Sequence, residues 1–574
     1  MILIGTVSMN DILILSEDKK SILSVKDKNI KELVIPDGIT SIGNNAFCNC
    51  VSLQNIELPN SIAVIGNHAF SGCLSLKSIN IPNNVTIIEH TAFAHCSSLE
   101  CVNIPNGVSK IGFGAFGKCS SLQSINLPNS IAVIGNHAFS GCLSLKSINI
   151  PNNVKYIGNN AFANCLSLKN VEISNSVKYI KNNVFAGCTS LESITVAEDN
   201  SFYQSINGTL FNKTLTTIIS VIPNCKDSLY TIPNTVTRIG VAAFKGCSSL
   251  KNIDIPNSVN YIGANAFKGC SSLQYVDIPN SVTNIAYNTF DGCSSLKSID
   301  IPNSVTSIDD FAFEGCTSLE SIDIPNSVSF LGYGVFNGCT SLENIYIDED
   351  NSTYKVVDKV LFDKNLTSII RVIPKYEKDT FTIPKSVTHI GSNAFRECFS
   401  IHHINIPNTV THIGSNAFSG CSSLKKIDIP NSVNYIGDSA FEDCSSLIDV
   451  SIPNNITSIE LDTFRNCSSL KSIIIPQNVT YIGVTAFEGC YSLENINIPN
   501  SVTKIESMAL GGCHKLRGIS ISCKKIEDVD IDNAFDDIDF NNCILYIPSG
   551  TRWAYKHHPI FGKFKNIVTE RFEE

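Results

Sequence analysis

The chain has 574 residues, of which 43% are hydrophobic, and a formal net charge of −10 at pH 7. The acidic balance argues against a nucleic-acid-binding protein, which needs a basic stripe on its surface. No segment approaches the roughly 18 consecutive apolar residues of a membrane span. We therefore expect no nucleic-acid partner and no membrane insertion.

The N-terminal segment predicts a cap rather than a leader. Residues 1–8 contain a very short apolar run and no basic residue, so we read no secretory signal in them. Residues 12–25 resemble a degenerate copy of two longer segments further along the chain. Because terminal coils of a stacked repeat need a polar outer side, we assign residues 1–35 to an N-terminal cap.

From residue 36 onward the sequence repeats with a period of 23 residues. Eighteen anchor positions, all proline except for one serine, mark the start of each repeat. They are Pro36, Pro59, Pro82, Pro105, Pro128, Pro151, Ser174, Pro233, Pro256, Pro279, Pro302, Pro325, Pro384, Pro407, Pro430, Pro453, Pro476 and Pro499. A fixed period of this length indicates a solenoid, in which each coil packs only against its neighbours. We therefore assign residues 36–522 to one stacked array.

One coil shows how the repeat buries its apolar residues. In the coil that begins at Pro256, the apolar Val276 and Ile278 alternate with a polar residue, which predicts a short strand with one buried face. The next proline ends that strand because it has no N–H for the ladder. Phe267 and Cys270, with the preceding alanine, are spaced as on one face of a single helical turn.

The repeat reads L-x-x-I-x-I-P-x-x-V-x-x-I-G-x-x-A-F-x-x-C and closely resembles the BspA-type leucine-rich repeat. This resemblance implies a leucine-rich-repeat solenoid, a right-handed curved array of mainly β structure with one parallel strand and a short helical turn per coil. It also implies a protein-binding scaffold or adhesin at the cell surface or secreted. Because no signal peptide is visible in the sequence, we leave the location open, and a cytoplasmic one is not excluded.

Two longer units align with each other without gaps. They span residues 197–232 and 348–383, and each contains 36 residues. The runs T-L-F-N-K-T-L and V-L-F-D-K-N-L within them predict two short strands across a polar turn. One hypothesis is that these hairpins protrude as landmarks for recognition. The other is that they are tolerated insertions, since lengthening a surface loop costs little free energy.

Eighteen of the 23 cysteines occupy one repeat position. They are Cys50, Cys73, Cys96, Cys119, Cys142, Cys165, Cys188, Cys247, Cys270, Cys293, Cys316, Cys339, Cys398, Cys421, Cys444, Cys467, Cys490 and Cys513. Parallel side chains in register hold their Cβ atoms about 4.8 Å apart, beyond the roughly 3.8 Å that a disulfide prefers. We therefore favour a column of free buried thiols over disulfides or a metal site.

The C-terminal segment resembles the closing cap of the same family, and we assign residues 523–574 to it. The resemblance rests on C-I-L-Y-I-P-S-G-T from Cys543, on W-A-Y from Trp553 and on F-K-N-I-V from Phe564. Cys523 and Cys543 could form a disulfide within this cap, but sequence alone does not fix a connectivity.

The residue between the two strand isoleucines points away from the core, towards the concave face of the predicted solenoid. In four successive coils it is aspartate, at Asp254, Asp277, Asp300 and Asp323, and Tyr275 lies beside them. One hypothesis is that these are merely solvated charges. The alternative is an acidic stripe that binds a basic partner segment, or a weak calcium site.

A second variable column is the fifth residue after each anchor. It includes Tyr261, His389, His412 and Tyr435. Exposed aromatic residues suit contacts with a protein or a glycan, although tyrosine is also simply favoured in strands. His389 and His412 are expected to stack, with His402 and His403 on the strand between them, but no acidic or thiol ligand completes a metal site.

No catalytic or cofactor motif occurs in the sequence, so we expect no enzyme and no cofactor. The favoured function is a scaffold or adhesin that binds a protein or glycan partner, such as a host matrix or cell-surface molecule, on its concave face. The alternative is a purely structural surface-coat protein without specific affinity. A metal-dependent enzyme at the histidine cluster is a remote third hypothesis.

Overall fold

The computed structural model describes residues 12–223 and 228–570. The chain forms two compact units, Met1–Leu296 and Lys297–Glu574. Each unit is a stack of coils built almost entirely from short parallel strands, so the predicted fold class, a leucine-rich-repeat solenoid of mainly β structure, is confirmed. Residues 1–8, in which we read no secretory signal, lie outside the described part of the chain.

The I-x-I segments form a first parallel sheet in each unit. Its strands alternate as predicted, since Val276 is fully buried between the exposed Tyr275 and Asp277. Equal repeat lengths keep neighbouring strands in register, as where Ser147 pairs with Asn170. In the first unit the strands are Glu32–Val34, Asn55–Glu57, Ser78–Asn80, Cys101–Asn103, Ser147–Asn149, Asn170–Ile173, Ser193–Val196, Leu229–Thr231, Asn252–Asp254 and Tyr275–Asp277. In the second unit they are Ser298–Asp300, Ser321–Ile324, Asn344–Ile347, Thr380–Thr382, His403–Asn405, Lys426–Asp428, Asp449–Ser451, Ser472–Ile474, Asn495–Ile498 and Gly518–Ile521.

Most coils contain a second strand of two residues, whereas one strand per coil was predicted. Tyr261–Ile262, for example, pairs in parallel with Arg238–Ile239. Two residues are too few to show the alternation by which a strand is recognised in sequence. In the first unit this second sheet contains Ser41–Ile42, Val64–Ile65, Ile87–Ile88, Lys110–Ile111, Val133–Ile134, Tyr156–Ile157, Tyr179–Ile180, Arg238–Ile239, Tyr261–Ile262 and Asn284–Ile285. In the second unit it contains Ser307–Ile308, Phe330–Leu331, His389–Ile390, His412–Ile413, Tyr435–Ile436, Ser458–Ile459, Tyr481–Ile482, Lys504–Ile505 and Asp530–Ile531.

A run of β-turns takes the place of the predicted short helical turn on the third side of the coil. Asn265 and Gly269 have φ values of 59° and 74°, which belong to the left-handed region and interrupt any helix. The N–H groups of Asn265 and Phe267 point out of the coil and donate to the carbonyl oxygens of Tyr287 and Thr289, both at 2.9 Å. The third side is therefore also hydrogen-bonded from coil to coil, which a closed helical turn would not allow.

Two segments interrupt the regular stack, and we call residues 197–232 the first insertion and residues 348–383 the second insertion. Each contains three antiparallel strands, which include the predicted hairpin and one strand before it. They are Tyr203–Ile206, Thr209–Asn212 and Thr217–Ser220 in the first insertion, and Tyr354–Val357, Val360–Asp363 and Ser368–Val372 in the second. The last strand of each joins the second sheet in parallel.

The described N-terminal residues have the arrangement of the last two insertion strands. Leu13–Leu15 pairs antiparallel with Ser21–Val25, and Ile22 then pairs in parallel with Ile42 of the second sheet. The N–H of Val25 donates to the carbonyl of Ala46 at 3.2 Å, as the last insertion strands do to the coils that follow them. This agrees with the sequence interpretation of residues 12–25 as a degenerate copy of the longer units.

Stacked phenylalanines and cysteines fill the core. The rings of Phe139 and Phe162 in adjacent coils lie 5.5 Å apart and 1° from parallel. The Cys270 thiol donates to the Phe244 carbonyl of the preceding coil at 3.1 Å, and most of the column repeats this contact. All eighteen cysteines of the column are buried and free, which confirms the predicted thiol column. Burial raises the pKa of the Cys142 thiol to about 12.

The C-terminal residues continue the first sheet. Ile544–Pro548 pairs in parallel with Gly518–Ile521, and Asn566–Glu570 pairs with Ile544–Pro548. An α-helix at Arg552–His557 and 3₁₀ helices at Ile526–Asp528 and Phe561–Lys563 complete this region. Cys523 and Cys543 are both free thiols. No helix within residues 12–223 and 228–570 is both long and apolar enough to cross a bilayer.

Candidate functional site: the outward faces of the two sheets

The predicted acidic residues divide equally between the two units. In the first unit, Asp254 and Asp277 end neighbouring strands whose residues Asn252 and Tyr275 are paired in register. Both carboxylates are exposed, since strand alternation turns the flanking Ile253 and Val276 towards the core.

In the second unit, Asp300 and Asp323 are exposed at the equivalent positions of consecutive strands. Asp323 pairs in register with Tyr346 of the next strand, which belongs to the coil that leads into the second insertion. The structure thus brings Asp254 and Asp277 side by side in one unit, and it places Asp300 and Asp323 on the same face of the other.

Polar grooves cross the first sheet of the first unit. One, of about 260 Å³, is lined by Glu32, Asn55, Glu57, Ser78 and Asn80 among others. A second, of about 410 Å³, reaches the start of the first insertion, and its walls include Asn149, Glu172, Asn175 and Asp199. Carboxylates and amides therefore dominate this face.

Two apolar residues on the outward face were missed by the sequence analysis. Tyr346 is 54% exposed and Ile474 is 81% exposed, and both occupy the position that holds aspartate in the acidic coils. Tyr275, which was predicted, is 42% exposed. Reading that one repeat position through every coil, rather than only where it is acidic, would have found them.

Residues of the second predicted column begin the strands of the second sheet. In the first unit the Arg238 guanidinium lies 3.9 Å from the centre of the Tyr261 ring. In the second unit the rings of His389 and His412 stack with their centres 4.8 Å apart, and the centres of the His412 and Tyr435 rings are 6.2 Å apart. Partial burial raises the pKa of the Tyr435 phenol. The structure therefore joins His389, His412 and Tyr435 into one aromatic row.

His389 and His412 stack as expected, whereas His402 and His403 lie at the other sheet. His403 belongs to the first sheet, in strand His403–Asn405, and His402 directly precedes that strand, whereas His389 and His412 begin strands of the second sheet. The two pairs therefore lie on different sides of the coil, with 12 residues between Ile390 and His403 and six between Asn405 and His412. Among the described residues, no group of three or more His, Cys, Asp or Glu side chains could hold a metal ion.

The family model of the BspA-type leucine-rich repeat region matches the chain in six copies, at residues 24–131, 109–227, 223–343, 285–372, 375–490 and 457–550. The chain belongs to the BspA-type leucine-rich repeat family. Leucine-rich-repeat proteins generally bind proteins, and this family and its fold are typically non-enzymatic. No functionally curated protein shows significant sequence similarity to the chain.

Solved structures with related folds include several bacterial leucine-rich-repeat proteins. A leucine-rich cell surface protein from Faecalibacterium prausnitzii is 25% identical, with 89% of this chain and 92% of that chain covered and a TM-score of 0.43. The pneumococcal vaccine antigen PcpA is 17% identical, with 96% and 94% covered and a TM-score of 0.34. A leucine-rich-repeat protein from Bacteroides ovatus is 23% identical, with 84% and 90% covered and a TM-score of 0.28.

Proposed function

We propose that this BspA-type protein is a non-enzymatic scaffold that binds a protein partner through the outward face of its first sheet. The observation that carries the proposal is the register of that sheet, which arranges exposed residues of successive coils in columns. Repeat proteins bind extended partners through columns of exposed side chains of this kind. Display at the cell surface, which the family resemblance led us to expect, remains part of the proposal.

The chemistry of this face favours a partner with a basic segment and apolar side chains. In the first unit the neighbouring carboxylates of Asp254 and Asp277 attract positive charge, and Tyr275 supplies exposed aromatic surface beside them. In the second unit Asp300 and Asp323 are followed by Tyr346 in the next coil. The row of His389, His412 and Tyr435 on the second sheet is a secondary candidate for contacts.

The test compares the intact chain with a variant in which Asp254, Asp277, Asp300 and Asp323 are all asparagine. Association rates with immobilised extracellular-matrix proteins and with a lysine-rich peptide are measured at low and at physiological ionic strength. We expect the variant to fold normally, since removing exposed like charges costs almost no stability. We expect it to associate more slowly, and the difference to shrink as salt screens the charges.

The matched control neutralises four other exposed aspartates, Asp37, Asp350, Asp379 and Asp536, and so changes the net charge equally. It should leave the association rate unchanged. If both variants slow association equally, the partner responds to overall charge and not to this face. If no probe binds the intact chain with measurable affinity, the structural surface-coat alternative is favoured.

A further inference from the structure

The second insertion opens a cavity of about 160 Å³ between two coils of the second unit. Its walls come from the coil before the insertion, from the insertion's last strand and from the coil after it. They include Tyr333, Gly334, Phe336, Arg371 and Asn393. Tyr333 spans the gap, because its hydroxyl accepts a hydrogen bond from Asn416 at 2.9 Å.

Backbone donors lose their usual acceptors at this gap. In a regular coil the N–H at the position of Phe336 donates to the next coil, as Phe267 does to Thr289 at 2.9 Å. After the second insertion the corresponding acceptor, the Ala394 carbonyl, instead receives the N–H of Val372 at 2.7 Å. Among residues 12–223 and 228–570, neither the Phe336 N–H nor the Gly334 N–H has a hydrogen-bond acceptor.

The backbone at this point has the form of an anion-binding concavity. Gly334 has a φ of 62°, and alternation of left-handed and right-handed residues turns successive N–H groups towards one side. A Cβ atom at Gly334 would lie 2.7 Å from the Asn337 amide nitrogen and from the Phe311 ring, so a larger residue does not fit without a shift.

A buried guanidinium completes the donor set. Arg371 is only 3% exposed, and it donates to the carbonyls of Asn393 at 2.8 Å and Phe336 at 3.4 Å. Among the residues that the structure describes, its Nε–H has no hydrogen-bond partner, and neither amide atom of Asn393, also 3% exposed, has one. Burial lowers the pKa of Arg371, but its guanidinium remains charged at neutral pH.

No carboxylate within the described part of the chain forms an ion pair with Arg371. The Glu397 carboxylate acts electrostatically on Arg371, but it accepts the Gly338 N–H at 3.0 Å and lies 3.7 Å from the Arg396 Nε. A buried charge without a counter-ion is costly, and an anion that enters the cavity removes that cost.

We propose that the cavity at the second insertion binds a small oxyanion between the Gly334 and Phe336 N–H groups, the Arg371 guanidinium and the Asn393 amide. The Arg371 guanidinium and the backbone N–H groups suit the oxygens of a sulfate, phosphate or carboxylate. The cavity is large enough for an ion of that size. The site is separate from the outward face of the first sheet, so it stands or falls independently of the proposed function.

The first insertion provides an internal comparison. Its residue at the Arg371 position is Ser220, which is too short to bridge the two coils and carries no charge. Arg371→Ser therefore installs a residue that the same backbone already accommodates elsewhere in the chain. Arg371→Gln is a second variant that keeps more of the side-chain volume.

The experiment titrates the full-length protein with sulfate and, in a separate arm, with acetate, while sodium chloride keeps the ionic strength constant. Binding is followed by calorimetry and by the thermal unfolding of the protein. We expect saturable binding to the intact chain, and affinity at least tenfold weaker in Arg371→Ser and Arg371→Gln. The matched control, Arg238→Ser, removes an exposed arginine from the first unit and should bind like the intact chain. Tighter binding of sulfate would indicate a site for a tetrahedral anion, and tighter binding of acetate a site for a planar carboxylate.

The absence of saturable binding in both arms would overturn the proposal, as would equal binding by the Arg371 variants with their circular dichroism unchanged. A crystal soaked in selenate gives a test that needs no variant. Anomalous density between Arg371 and Gly334 is expected, and density elsewhere only would also overturn the proposal.

Discussion

The first and second insertions have the same backbone arrangement, and in each of them one buried asparagine, the fastening asparagine, attaches the insertion to the preceding coil. Asn200 and Asn351 are both fully buried. Asn200 donates to the carbonyls of Ser174 and Val177 at 2.8 and 3.2 Å, and its side-chain oxygen accepts two N–H groups of the insertion at 2.8 and 2.9 Å. Asn351 makes the equivalent four contacts.

The insertions differ where their last strand passes the next coil. Val221 and Val372 make the same contact there, to the carbonyls of Ala243 and Ala394 at 2.8 and 2.7 Å. The residue before each valine is Ser220 in the first insertion and Arg371 in the second. One architecture thus separates two coils in both places, but the charged Arg371 stands in the gap of the second insertion where the first insertion has Ser220. The shared contacts preserve the stack, and the residue that differs is free to acquire a role.

The largest effect should come from the fastening asparagines, and it should be equal in the two insertions. Asn200→Ala and Asn351→Ala each leave four backbone groups without their partner, which should lower the free energy of unfolding by about 4 kcal/mol. Urea unfolding monitored by circular dichroism measures the loss. Asn252→Ala, at an exposed asparagine of the first sheet, is the control and should change little. Clearly unequal losses would show that the two insertions are not fastened alike.

Ser220→Arg and Arg371→Ser should lower the free energy of unfolding by smaller amounts, and by different amounts in the two variants. Ser220→Arg buries a guanidinium where the local packing has evolved around a serine, and we expect it to cost about 3 kcal/mol. Arg371→Ser should cost about 1–2 kcal/mol, because the Asn393 carbonyl loses its charged donor. Both values come from urea unfolding in chloride buffer. Equal losses of unfolding free energy in the two variants would mean that the two gaps are equivalent and that the second gap is not adapted to Arg371.

Ionisation of the buried thiols that follow the insertions should lower the stability of the protein at alkaline pH. The Cys247 thiol lies 3.9 Å from the Ile222 carbonyl oxygen and the Cys398 thiol 3.7 Å from the Ile373 carbonyl oxygen, whereas the Cys270 thiol of a regular coil lies 3.1 Å from its acceptor. Burial raises the pKa of Cys398 from 9.0 to about 12. The folded state therefore prefers the protonated thiol, so this contribution is complete below pH 9 and declines between pH 9 and about 12.

At a pH of about 10.5 the contribution of Cys398 should have fallen by about 2 kcal/mol, at about 1.4 kcal/mol per pH unit. Cys398→Ala should remove this part of the alkaline loss, which urea unfolding at pH 8 and about 10.5 measures. An unaltered alkaline slope in Cys398→Ala would contradict the assignment.

The smallest effect should come from the paired tyrosines of the insertions. The hydroxyl of Tyr203 accepts the Ile180 N–H at 2.8 Å, and that of Tyr354 accepts the Leu331 N–H at 2.9 Å. Tyr203→Phe and Tyr354→Phe should each cost about 1 kcal/mol. Burial raises the pKa of both phenols, so their contribution is present below the usual phenol pKa of 10.0 and is lost at higher pH.

Ultraviolet titration of the phenolate checks this last prediction. Each phenylalanine variant should lose one late-titrating tyrosine. If Tyr203→Phe instead removes a tyrosine that titrates early, the Tyr203 hydroxyl is not hydrogen-bonded to the preceding coil.

The sequence by itself determined the inward side of every coil. Because all repeats have one length and each coil packs only on its neighbours, the positions of Phe267, Cys270 and Val276 had to be core positions throughout, and the free thiols followed from their spacing. It likewise placed Asp254 and Asp277 outward, since alternation along a strand admits no other assignment.

Only the tertiary structure decided the rest. The two-residue strands and the left-handed turn residues, such as Asn265, exist because their N–H groups find carbonyls in the next coil, and those partners lie 22 residues away. The cavity beside Arg371 joins Gly334 and Asn393 across the second insertion, where the period breaks. A repeat pattern predicts what recurs, whereas this site depends on backbone groups that lose their recurring partners.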